Sequence, residues 1–91
     1  MAEKLQQRII INNRLGLHAR PASLFAQTAN RFLSSIQISL GNLTVDGKSI
    51  LGLMTLGAPM GSVLSLTIEG DDAGEMLAAL NELVNNNFGE G

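Results

Sequence analysis

Apolar and polar positions along this chain change period several times, and each change marks an element. Leu5 to Ile11 ends in Ile9-Ile10-Ile11, a β-branched run that reads as a strand. Asn12-Asn13-Arg14-Leu15-Gly16 breaks that run into a loop. From Ala19 the period becomes helical: Ala22, Phe25, Ala26, Ala29 and Phe32 fall on one apolar stripe. Pro21 stands near the start of that helix, where a missing backbone N–H does no harm. Ile36, Ile38 and Leu40 then alternate with Gln37 and Ser39, the pattern of a half-buried strand. Gly41-Asn42 is a two-residue turn signal, so the shorter alternation of Leu43 and Val45 is expected to close a hairpin.

Asp46-Gly47 turns the chain into Lys48-Ser49, and Ile50, Leu51, Leu53 and Met54 suggest a short amphipathic helix. Gly57 to Gly61, with Pro59, reads as a loop. Leu64, Leu66 and Ile68 alternate with Ser65, Thr67 and Glu69, a further strand. Asp72-Ala73-Gly74-Glu75 resembles a capping box, an acidic cap with glutamate three residues on. The last helix presents Met76, Leu77, Leu80, Leu83 and Val84, and the chain runs out in a polar tail. The predicted order is β-α-β-β-α-β-α. Strands with one apolar face and helices with one apolar stripe make a two-layer α/β sandwich, its sheet antiparallel and its helices on one face. No repeat or linker divides the chain, so residues 1–91 are read as one domain.

Composition narrows the chemistry. The apolar fraction of 45% suits a globular core, and the absence of cysteine removes disulfides and thiolate catalysis. Six lysines and arginines against eight acidic residues give a net charge of -2. Nucleic-acid binders carry a basic surplus and stacking aromatics, whereas the aromatics here are Phe25, Phe32 and Phe88, each at a core-like position. The start, MAEKLQQRIII, lacks a signal-peptide pattern, and no stretch approaches the ~20 apolar residues of a membrane span. The expectation is a soluble, cytoplasmic protein with no membrane insertion and no nucleic-acid partner.

His18 is the one histidine, in Gly16-Leu17-His18-Ala19-Arg20-Pro21-Ala22, between a glycine-broken loop and a helix start. A lone histidine is most simply a surface or cap residue. Three features here point further. A helix start presents N–H groups with no intrahelical partner and a partial positive charge, which suits an anion such as a phosphoryl group. Arg20 adds a cation with a donor fork matched to phosphate oxygens. Pro21 stiffens the turn, and a neutral imidazole can act as a nucleophile. Such a site would hold a phosphohistidine for transfer without supplying a catalytic base or metal.

GLHARPA, followed some thirty residues later by GKSILGLMTLG, closely resembles HPr, the histidine-containing phosphocarrier family of the bacterial phosphotransferase system. The resemblance covers nearly the whole chain, and it implies an open-faced form of the sandwich. It further implies phosphorylation of His18 on Nδ1 by enzyme I, donation to enzyme II A-type proteins, and Arg20 as partner of the phosphoryl group. No cofactor is implied, and a transient carrier has no need of a stable dimer, so a monomer is expected.

Ser49 has two readings. Serine is a favoured helix N-cap and needs no further role. In many members of the resembled family, however, the matching serine is phosphorylated by a dedicated kinase, which would make Ser49 a regulatory site and an HPr serine kinase/phosphorylase a partner. The same resemblance places the short helix and the His18 loop on one docking face, with Ala19, Lys48, Ile50, Leu51 and Met54 as its residues and Leu51 and Met54 as exposed anchors.

One departure bears on partners. Familiar sugar-transport members carry lysines where this chain has uncharged Gln27, Asn30 and Gly52, leaving Arg20 and Lys48 as the main cations near the site. Steering toward an acidic partner is weakened, so a nitrogen-related or regulatory branch stands as the alternative to sugar uptake. Other functions fit less well. A small enzyme with His18 as general base would need a carboxylate or nucleophile tied to it, and Asp46, Asp71 and Asp72 lie near turns without such a motif. One histidine and no cysteine fall short of a structural zinc site, and no nucleotide-binding glycine loop appears. A purely structural α/β module, with His18 and Arg20 as caps, leaves the paired motifs unused.

Overall fold

The computed structural model describes residues 3–90. Its elements are β1 (Glu3–Ile10), α1 (Ala19–Ala29), β2 (Ser35–Leu40), β3 (Leu43–Asp46), α2 (Ile50–Leu56), β4 (Val63–Gly70) and α3 (Ala73–Asn85), followed by a 3-10 turn at Asn87–Gly89. The four strands form one sheet in the order β1-β4-β2-β3, antiparallel throughout, so the predicted order and architecture are both found.

The alternation written into the strands decides which face the helices cover. Ile9, Ile36, Ile38, Leu64, Leu66 and Ile68 point into one core, while Ile10, Ser35, Gln37, Val63 and Ser65 face outward. The run Ile9-Ile10-Ile11 therefore splits, with its outer members buried and Ile10 half exposed. The hairpin closes at Gly41-Asn42 with Leu40 opposite Leu43, as its turn signal predicts. From the helical layer come Ala22, Phe25, Ala26 and Ala29 of α1, Leu53 and Leu56 of α2, and Ala73, Met76, Leu80 and Val84 of α3. Removing each large apolar side chain from water contributes about 1.5–3 kcal/mol, which makes this shared layer the main stabilising element. Phe32 lies past the end of α1 and is half buried against the same core.

Polar ties set how the layers meet. Gln7 of β1 donates to Asn81 of α3. Asn30 caps the end of α1 and donates to the Ala26 carbonyl at 2.8 Å and to the Lys48 carbonyl at 3.0 Å, fixing the turn that leads into α2. Asp72 departs from expectation. It stands at the start of α3 but makes no capping hydrogen bond with its side chain. Its carboxylate instead accepts from the Ser34 hydroxyl and from the Leu33 and Ser34 amides, tying the α1–β2 loop to the helix start. A tertiary demand has overridden the local capping pattern. The Ser34 hydroxyl, chiefly, and the Leu33 amide hold the Asp72 carboxyl below its ordinary pKa.

Candidate functional site

His18 is the N-cap residue of α1, in an extended conformation with φ -81° and ψ -171°. The loop before it is seated by Gly16, whose φ of +69° lies in the left-handed region. A Cβ at Gly16 would run into the Ala58 carbonyl oxygen and Pro59 Cα, so only glycine lets the two backbones approach this closely. The Leu17 amide donates to that same Ala58 carbonyl at 2.8 Å, and Leu17 is buried. The histidine is thus mounted between a pinned loop and a helix.

The imidazole makes no capping hydrogen bond, so it leaves the helix start unused. Ala22 donates to the His18 carbonyl at 2.9 Å, and Pro21 has no N–H to offer. The amides of Ala19 and Arg20 are the first-turn donors without an intrahelical acceptor. They lie at the positive end of an eleven-residue helix, directly after His18 in the chain. The His18 side chain is 34% exposed, open enough for a partner to reach.

The Arg20 side chain is exposed and makes no ion pair among the described residues. It lines a shallow depression with Arg14, Leu15, Gly89 and Glu90. Sequence reasoning passed over Arg14, which here is the second cation beside Arg20. Lys48 is turned elsewhere, its ammonium donating to the Phe32 carbonyl at 2.8 Å just past α1. A second depression joins His18 and Ala19 to Leu15, Met54, Ala58 and Pro59. Leu15 and Leu51 are each 75% exposed, Met54 45% and Ile50 43%. Leu53 and Leu56 take the buried face of α2, so Ile50, Leu51 and Met54 are left toward water. Leu15 is a further exposed apolar residue that the loop assignment concealed.

Ser49 caps α2, its hydroxyl accepting from the Gly52 amide at 2.9 Å. Gly52 lies tight against Ser49 and Val45.

A contact that sequence reasoning missed comes from the C-terminal segment. Glu90 Oε2 lies 2.9 Å from His18 Nε2, and Glu90 Oε1 accepts from Asn13 Nδ2 at 3.1 Å. Asn13 is fully buried and also donates to the Gly16 carbonyl at 2.6 Å, while its Oδ1 has no partner. The segment is bent back by Asn87 and Phe88, both left-handed at φ 51° and 56°. That conformation costs about 1–2 kcal/mol for each non-glycine residue. It is offset by Phe88, 2% exposed in the core, whose burial contributes about 1.5–3 kcal/mol. The polar tail is in fact an anchored strap. The signal for it was the lone phenylalanine among asparagines.

Comparison with known proteins bears on the family and the fold. Residues 5–86 match the family described as the PTS HPr component phosphorylation site. The chain belongs to the HPr family. It is 47% identical over 87 residues to the phosphocarrier protein HPr of Neisseria meningitidis serogroup A, covering 96% of this chain and 98% of that one. The structure of HPr-C-His from Thermoanaerobacter tengcongensis superposes with a TM-score of 0.91 at 47% identity, over 96% of this chain and 98% of that chain. An HPr dimer from the same organism superposes with a TM-score of 0.76 at 50% identity, over 90% and 94% of the two chains. The HPr match spans His18, Arg20, Ser49 and all of α2 but stops short of Glu90.

Proposed function

We propose that the chain is a phosphocarrier of the phosphotransferase system: His18 accepts a phosphoryl group from enzyme I and donates it to enzyme II A-type proteins. The observation that carries this reading is a one-third-exposed imidazole on the N-cap residue of α1, the helix whose Ala19 and Arg20 amides have no intrahelical acceptor. Nδ1 is the accepting nitrogen. The amides and the Arg20 guanidinium take up the phosphoryl oxygens, giving stabilisation without a closed pocket. An open site lets the group leave again, so the chain relays phosphate and is not an enzyme in its own right. Ala19, Ile50, Leu51 and Met54, joined by Leu15, form the apolar face on which donor and acceptors dock, with Lys48 at its margin. The carrier works in the cytoplasm as a monomer, a state that leaves that face free for the relay.

Ser49 is a regulatory phosphorylation site for an HPr serine kinase/phosphorylase. A phosphate there adds a charge of about -2 at the edge of the docking face and repels an acidic partner. Failure of a matched kinase to label Ser49 would remove this part of the proposal. A nitrogen-related or regulatory branch is the second reading, and the sparse charge favours it. Gln27 bonds to Ser23, Asn30 is used as a cap, and the Lys48 ammonium is held at Phe32.

The test is to incubate the chain and its His18→Ala variant with a matched enzyme I and phosphoenolpyruvate, then measure intact mass. A phosphoryl adduct on the parent chain and none on the variant is expected. An equal adduct on both would overturn the assignment to His18.

A further inference from the structure

A carboxylate can only accept hydrogen bonds, so the 2.9 Å contact between Glu90 Oε2 and Nε2 requires the proton of a neutral His18 to sit on Nε2. The lone pair is then on Nδ1. Glu90 is itself oriented. Its other oxygen accepts from Asn13 Nδ2, and that nitrogen is held at 2.6 Å by the Gly16 carbonyl in the loop that carries His18. Asn13 is fully buried and the Glu90 side chain is only 18% exposed, so water competes weakly for these bonds. Nucleophile, orienting carboxylate and buried amide form one line from loop to strap.

We propose that Glu90 is a positioning residue for phosphoryl transfer, holding His18 in the tautomer whose Nδ1 is free and keeping the Nε2 proton in place while the group is carried. This rests on the phosphocarrier reading of His18. In the accepting step the Nδ1 lone pair forms the bond to phosphorus. The bond from phosphorus to the donor atom breaks, and its electron pair leaves with the donor protein. Nε2 keeps its proton, so the ring becomes a cation that the Glu90 carboxylate faces. On donation the P–Nδ1 bond breaks and its electron pair returns to the ring. No proton has to move in either direction, which suits a reversible relay.

The Asn13 amide makes the test sharp. In Glu90→Gln, the glutamine oxygen must face Asn13 Nδ2, because two amide nitrogens cannot pair. The glutamine NH₂ then faces His18 Nε2 and holds it as an acceptor, which puts the proton on Nδ1. Glu90→Ala imposes neither tautomer. The experiment is nitrogen-15 NMR of the His18 ring in the unphosphorylated chain and both variants under conditions that keep the ring neutral. Single-turnover phosphorylation by enzyme I is measured in parallel. The parent chain should show a protonated Nε2 and an unprotonated Nδ1, with the pattern reversed in Glu90→Gln. Glu90→Gln should accept the phosphoryl group about tenfold more slowly or worse, as expected when an orienting group enforces the wrong tautomer. Glu90→Ala should fall between. A merely structural role predicts the opposite order, since glutamine is the milder change in shape. Unchanged ring signals in Glu90→Gln, or a Glu90→Ala variant slower than Glu90→Gln, would overturn the proposal. Reversed signals in a chain that never takes a phosphoryl group would instead overturn the functional reading of His18 and leave the tautomer assignment intact.

Discussion

Replacing Gly16 by alanine separates two demands that the His18 loop makes on one residue. The left-handed backbone at φ +69° costs a non-glycine residue about 1–2 kcal/mol. Alanine recovers about 0.4–1 kcal/mol by restricting the unfolded chain, which leaves a net loss near 1 kcal/mol. The added Cβ also meets the Ala58 carbonyl and Pro59 Cα, which are backbone atoms and cannot turn aside. Shifting them adds about 1–3 kcal/mol, so the expected total is about 2–4 kcal/mol. Gly41 supplies the control, because it has φ +60° but nothing within 4 Å of its would-be Cβ. Gly41→Ala should lose only the conformational part, about 1 kcal/mol. Urea denaturation followed by circular dichroism measures both against the parent chain. Gly16→Ala should also slow phosphoryl acceptance, since its clash falls where the Leu17 amide is anchored to Ala58, next to His18. Gly41→Ala should leave acceptance unchanged. Equal stability losses at the two positions would refute the close-approach argument.

Further outcomes follow from other contacts. The Asp72 carboxyl has its pKa lowered in the folded state, so its contribution is present above the unfolded value near 3.8 and is lost as pH falls through the lower folded value. Asp72→Asn should therefore lower stability at neutral pH and flatten the acid limb of the stability curve, as read by denaturation midpoints between neutral and strongly acidic pH. Phe88→Ala should cost about 3–5 kcal/mol, because it empties a buried aromatic site, and should shift the His18 ring signals by releasing Glu90. Leu51→Ala removes a side chain that is 75% exposed, so stability should stay within about 0.5 kcal/mol. Its effect should appear as a higher KM for enzyme I in a coupled phosphorylation assay.

Most of the fold was legible because periodicity and burial coincide. The alternations at Ile36–Leu40 and Leu64–Ile68 point where the sheet needs them, and the stripe from Ala22 to Ala29 faces the core. His18, Arg20 and the Ser49 cap were legible too, because each depends on a helix start that the local sequence announces. What escaped depends on contacts far apart in the chain. Asn13 sits in a polar loop yet is fully buried, and the Glu90 that it orients lies 77 residues away. Asp72 looked like a cap because Glu75 stands at the matching offset, but the Ser34 loop claims its carboxylate. Arg14 and Leu15 read as loop residues, and only the folded chain shows that they border the site.

His18 is expected to carry the phosphoryl group on Nδ1, and phosphorus-31 NMR of the chain after loading by enzyme I and phosphoenolpyruvate reads that nitrogen out. One acid-labile signal with the shift of an Nδ1-phosphoimidazole should appear, absent from His18→Ala and discharged on adding an enzyme II A-type acceptor. A signal that is acid-stable, survives in His18→Ala or belongs to an Nε2 adduct would contradict it.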